Sequence, residues 1–175
     1  MKLNIIPYFS INFNCKNNEY IFKNFGELKN YKRITEKIIS ERTNKYIDTT
    51  YDLKIILKSL TIPKEENKFF AKVFQAIRIE VNDELEVIKT LLDKSLKYLK
   101  KGGRLVCISY HSLEDRLVKR FIRTGLFSGE PRKDIFGNTS EPLKKVGKLV
   151  VPTSQEIKIN NRARSAKLRI ATLKN

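Results

Sequence analysis

Apolar residues recur at helical spacing through the first half of the chain. Ile21, Phe22, Phe25 and Leu28 share one stripe from about Glu19, and Ile34, Ile38 and Ile39 continue it beyond Asn30. Leu53, Ile56, Leu57 and Leu60 mark another helix, opened by Thr49 or Thr50 and interrupted at Pro63. Phe69, Phe70, Val73, Phe74 and Ile77 mark a third. These stripes predict small helices packed on one another, with the aromatic residues as core. Asn82 can cap the next helix, whose apolar face is Val81, Leu85, Ile88, Leu92, Leu96 and Leu99. Acidic Asp83, Glu84 and Glu86 in its first turn and Lys97, Lys100 and Lys101 in its last complement the helix dipole.

The pattern then changes period. Gly102 and Gly103 suit a left-handed helix stop, and Leu105 to Ile108 is a short continuous apolar run, as expected of a strand covered on both faces. Ser112 is placed to cap a new helix with Asp115 as its capping-box acid. That helix divides into Leu113, Leu117, Val118 and Phe121 on one side and Arg116, Lys119, Arg120 and Arg123 on the other. Residues 124–147 read as a long loop, Lys148 to Val151 as a strand, and Thr153 with Glu156 as the start of a short helix. Ala166, Leu168 and Ile170 alternate with Lys167 and Arg169, the period of a strand with one covered face. Helix, strand, turn and helix in succession imply an α/β fold, in which ligands gather beyond the carboxyl ends of the strands. Ser109, Tyr110 and His111 therefore stand at a candidate site edge, with Ser109 and His111 the two polar side chains of interest. The lone histidine fits a site-lining role and a helix-entry structural role equally well.

Charge sharpens this picture. Thirty-six Lys and Arg against 19 Asp and Glu give a formal net charge of +17, which favours polyanions and above all nucleic acid. A lysine-rich coding bias would raise the same sum, so position matters more than the total. Arginine pairs bidentately with phosphate and stacks on bases. The candidate RNA contacts are accordingly Arg116, Lys119, Arg120 and Arg123 on the helix and Arg162, Arg164 and Arg169 near the end. The alternative is a solvated helix face and a salt-bridged last strand. Cys15 and Cys107 have neither zinc-ligand nor disulfide-framework spacing, so no metal is expected. No apolar run approaches a membrane span and the first residues lack a signal-peptide pattern, which predicts a cytoplasmic protein.

Three ordered words carry a more specific signal. Gly102-Gly103-Arg104-Leu105-Val106-Cys107-Ile108-Ser109-Tyr110-His111-Ser112-Leu113-Glu114-Asp115-Arg116, followed by Val118-Lys119-Arg120-Phe121, closely resembles the late signature of bacterial 16S rRNA (cytosine-N4) methyltransferases. The run from Phe74 to Glu86 and the run from Asn161 to Arg169 match the same family in the same order. The resemblance covers about residues 20 to 173 and corresponds to roughly the carboxyl-terminal half of a family member.

It implies the carboxyl-terminal part of a Rossmann-like methyltransferase fold with a small inserted helical domain. Residues 1–16 match nothing, 17–80 would be most of the helical substrate domain, and 81–175 the late strands and helices, ending in a reversed strand. The implied reaction moves a methyl group from S-adenosylmethionine to the N4 amine of a cytosine in 16S rRNA of the small ribosomal subunit. Such an enzyme must align nitrogen, methyl and sulfur and unstack the base into a pocket. In the family the glycine-rich cofactor loop precedes the matched region, and none of the seven glycines here forms a Gly-x-Gly pair. No cofactor-binding residue is therefore assigned to this chain. Two alternatives stand beside the enzyme: an RNA-binding remnant without catalysis, and one piece of a split methyltransferase that needs a separately encoded amino-terminal half.

Overall fold

The structure is a computed structural model that describes residues 15–131, 135, 136 and 141–174. The unmatched segment 1–16 lies almost wholly outside them. The chain divides into two compact units, Met1–Glu84 and Leu85–Asn175.

The first unit is helical. It comprises α1 (Cys15–Asn24), α2 (Tyr31–Arg42), α3 (Thr50–Leu57) and α4 (Glu66–Val81), with short 3-10 turns at Lys58–Leu60 and Pro63–Glu65. The apolar stripes meet as expected. Ile21, Phe22, Ile34, Ile38, Leu53 and Leu57 are fully buried, with Phe69, Phe70 and Val73 of α4 in the same core. Thr49 opens α3 with a reciprocal cap: the Asp52 amide donates to its hydroxyl at 3.1 Å, and its own amide donates to the Asp52 carboxylate at 3.0 Å. Asn82 does not cap the next helix. It closes α4 by donating its amide to the Arg78 carbonyl at 3.0 Å, and Asp83 follows in the left-handed region at φ +51°. Aspartate is among the few residues that tolerate this left-handed turn.

The second unit sets α5 (Glu84–Tyr98, from Leu85 on) and α6 (Ser112–Thr124) beside a three-stranded sheet, with a short α7 (Ser154–Ile159) and a 3-10 turn at Asn161–Ser165. The strands are β1 (Arg104–Ser109), β2 (Leu143–Val150) and β3 (Lys167–Leu173), in the spatial order β1-β3-β2. β3 is antiparallel to both neighbours, pairing Val106 with Ile170 on one side and Val146 with Ile170 on the other. Leu92 of α5, Val118, Phe121 and Ile122 of α6, Leu143 of β2 and Ala171 of β3 make the core, with Leu105 and Cys107 of β1 against it. Phe121 stacks on Phe127 at 4.8 Å between ring centroids. Gly102 takes φ +73° after α5, as its position before the strand implies.

Two expectations need correcting. The apolar run of β1 is covered on one face only: Leu105 and Cys107 turn to the core, while Val106 and Ile108 remain 54% and 57% exposed. β1 also ends the sheet, with β3 its one partner among the described residues. The second correction is β2, which starts at Leu143 and so takes in the last residues assigned to a loop. Gly147, at φ +67°, lies where its register with β3 shifts between Val146 and Val150. Such a bulge, set among lysines on an edge strand, breaks the alternation by which strands are recognised.

Candidate nucleic-acid interface

The turn from β1 into α6 is built by two side chains, His111 and Glu114. His111 is the N-cap of α6, at φ −137° and ψ 164°, and the Glu114 amide donates to its Nδ1 at 3.4 Å. In return the Tyr110 and His111 amides donate to a Glu114 oxygen at 2.8 and 3.3 Å. The cap is thus displaced by one residue from the expected Ser112 and Asp115. The imidazole that accepts at Nδ1 carries its proton on Nε2, which faces the other Glu114 oxygen at 3.1 Å. This geometry gives His111 a structural task. His111→Ala should lower stability by about 1 kcal/mol, and His111→Asn, which keeps an acceptor at the cap, should restore most of that in a thermal melt. Equal losses in both variants would remove the cap from the account. Ser109 is buried, with its hydroxyl 3.5 Å from the Lys167 carbonyl.

Asp115, freed from capping, points into the unit. Only 6% exposed, it accepts from Arg169 Nε at 2.7 Å and Nη2 at 3.0 Å, with Lys167 Nζ at 3.4 Å. The Arg169 hydrogen bonds hold the Asp115 carboxyl below the usual aspartate range, against the opposing effect of its burial; the charges of Arg169 and Lys167 add to this lowering. Arg169 therefore ties β3 to α6 and is not available to RNA. The position of an acid one turn into a basic helix gave no hint of this, because its partners come from a strand 52 and 54 residues later.

The remaining basic candidates separate into groups. Arg116 folds back on Ser112, donating to its carbonyl at 3.3 Å and its hydroxyl at 3.4 Å. Arg120 donates to the Gly129 carbonyl and so secures the loop after α6. Lys119 and Arg123 are exposed and line a cleft beside β2. Arg162 and Arg164 are exposed on either side of buried Ala163 in the 3-10 turn, which Asn160 opens by accepting from the Arg162 amide at 3.1 Å. The ordered turn holds both guanidinium groups outward, a geometry suited to phosphates. Cys107 is half-buried in β1, and burial pushes its thiol up from the usual range, as befits an inert core thiol.

The family model for the MraW methylase family matches residues 12–174. The chain belongs to that family. Its relatives include proteins named ribosomal RNA small subunit methyltransferase H. That of Flavobacterium johnsoniae is 56% identical over 151 residues, which are 86% of this chain and 50% of the relative. Those of Christiangramia forsetii and Amoebophilus asiaticus are 55% and 54% identical, each over 86% of this chain and 50% and 49% of the relative. The chain thus spans about half the length of the relatives it matches.

A methylase of this family implies S-adenosylmethionine, and the residues described do not fit a cradle for it. Such a site needs a small-residue strand-to-helix turn with free amides. The β1–α6 turn carries Tyr110, His111 and Ser112, and Glu114 and His111 occupy its amides and their acceptor. The β2–α7 turn is closed in the same way, with the Glu156 amide donating to Thr153 Oγ1 at 3.2 Å. Among the described residues, no helix is long and apolar enough to cross a membrane.

Proposed function

We propose that this chain supplies the carboxyl-terminal half of an S-adenosylmethionine-dependent 16S rRNA (cytosine-N4) methyltransferase. On this reading, the half that it does not span brings the cofactor site. The observation that carries the reading is β1, an apolar strand whose outer edge has no partner among the described residues and whose outer face is exposed, in a family member spanning half the length of its relatives. A sheet edge of this kind is a template for further strands. The order β1-β3-β2, with β3 running against both neighbours, agrees with the late part of a Rossmann-like sheet. Residues 17–80 would be the inserted helical substrate domain and 81–175 the late part of the methyltransferase domain. Arg162, Arg164, Lys119 and Arg123 would then face small-subunit rRNA, while Ser109 and His111 would form the wall of the site from behind.

The test is a calorimetric titration with S-adenosylmethionine. The 175-residue chain alone should give no saturable heat, whereas a mixture with the half of a relative that it does not span should bind in the micromolar range. Micromolar binding by the chain alone would overturn the assignment of the cofactor to the other half.

A further inference from the structure

A cleft of about 620 Å³ lies between α6 and the edge strand β2, wholly within the second unit. Lys119 and Arg123 of α6 stand on one wall, and Lys144, Lys145 and Lys148 of β2 on the other. Aliphatic Ile122, Leu143, Val146, Leu149 and Ile170 complete much of its lining. Among the described residues, none of the five cations forms an ion pair. The two other cations at the rim are neutralised, Arg169 by Asp115 and Lys174 by Glu141.

We infer that this cleft is a track for the RNA backbone, distinct from the Arg162/Arg164 turn. This rests on the rRNA reading above and adds to it the surface on which the strand runs. Five positive charges without an ion-pair partner among the described residues line one concave surface and repel each other, and a polyanion relieves that repulsion while releasing its own counterions. Lysines that merely kept an edge strand from pairing would need no cleft and no cations on the facing helix. Among the described residues its lining has no aromatic platform on which a base could stack, and its one carboxylate, Glu141, is held by Lys174. The cleft therefore grips ribose and phosphate without reading sequence.

The deciding experiment measures binding of the full chain to a small-subunit rRNA fragment by fluorescence anisotropy across a salt series. Three chains are compared: the wild type, Lys144→Gln/Lys145→Gln/Lys148→Gln, and a charge-matched control, Lys94→Gln/Lys97→Gln on α5 with Lys100→Gln just beyond its end. The cleft variant should lose roughly 2 to 3 from the slope of log affinity against log salt, and the control should lose less than about 1. Lys119→Gln/Arg123→Gln on the opposite wall should lower the slope by roughly 1 to 2, so the result does not hang on β2 folding alone. Thermal melts of each variant check that the fold is kept. Equal slopes in the cleft and control variants, with the wild type still bound to RNA, would overturn the cleft and leave the rRNA reading standing. A wild type that does not bind RNA would sink both.

Discussion

Mixed with the half of the Flavobacterium johnsoniae relative that it does not span, this chain should produce N4-methylcytidine in small-subunit rRNA, and neither piece should do so alone. The argument runs through the sheet. Val106 and Ile108 are each more than half exposed on the outer face of β1, and the outer edge of that strand has no partner among the described residues. Burying the exposed half of two such side chains is worth roughly 1 kcal/mol each, before the ladder hydrogen bonds are counted. A half that covers this strand binds the folded form alone, so it stabilises by mass action, about 2.7 kcal/mol at a hundredfold excess over its dissociation constant. For a unit of this size that is a rise in Tm of roughly 10 °C or more. Methylated nucleoside is read by mass spectrometry of digested rRNA and melting by circular dichroism. An unchanged melt and unmethylated rRNA together would leave the RNA-binding module without catalysis as the better account.

Asp115→Asn should destabilise the second unit by about 3 kcal/mol. It leaves Arg169, 13% exposed at its side chain, without its counter-charge beside Lys167. Arg169→Lys should cost less but still register, because an ammonium group cannot make the paired contact to both carboxylate oxygens. The same carboxyl sets an acid limit. Its pKa is lowered in the folded state, so its stabilisation is complete above the unfolded-state value of about 4 and disappears as pH falls through the lower folded value. Urea melts of the wild type should therefore lose stability on acidification below about pH 4, and the Asp115→Asn chain should lose less over that window. Parallel acid limbs in the two chains would show that other carboxylates dominate.

The helical unit was legible from its stripes because each helix buries a face whose members are three or four residues apart. Phe22, Ile38, Leu53, Leu57 and Val73 are core for that reason alone. The sheet was legible only in part. β1 and β3 follow apolar runs, whereas β2, with Lys144, Lys145, Gly147 and Lys148, conceals its start in a lysine-rich segment. Periodicity also could not tell a strand covered on both faces from one covered on a single face, since the difference lies in what packs on Val106 and Ile108. At the site, the choice of cap was missed by one residue because histidine is not an expected capping side chain, although Glu114 stood at the right spacing from it. The Asp115–Arg169 pair was out of reach of local reading. Only the folded sheet brings β3 beneath α6.

The order β1-β3-β2 also fixes when this unit can come into being. The middle strand is the last to be synthesised: Ser109 ends the first strand and Lys167 begins the one that pairs with it, 58 residues later. β1 and β2 flank it and have no ladder to each other. While the ribosome is still adding residues before Lys167, neither strand has its partner β3, and α6 lacks the arginine that neutralises Asp115. The helices of the first unit are complete by Val81, before β1 begins, and can close as they emerge. A nascent chain stalled anywhere between Thr124 and Lys167 would carry a folded helical unit followed by an open, apolar and strongly basic segment. It would need a chaperone, or the RNA itself, to keep that segment from the wrong partners.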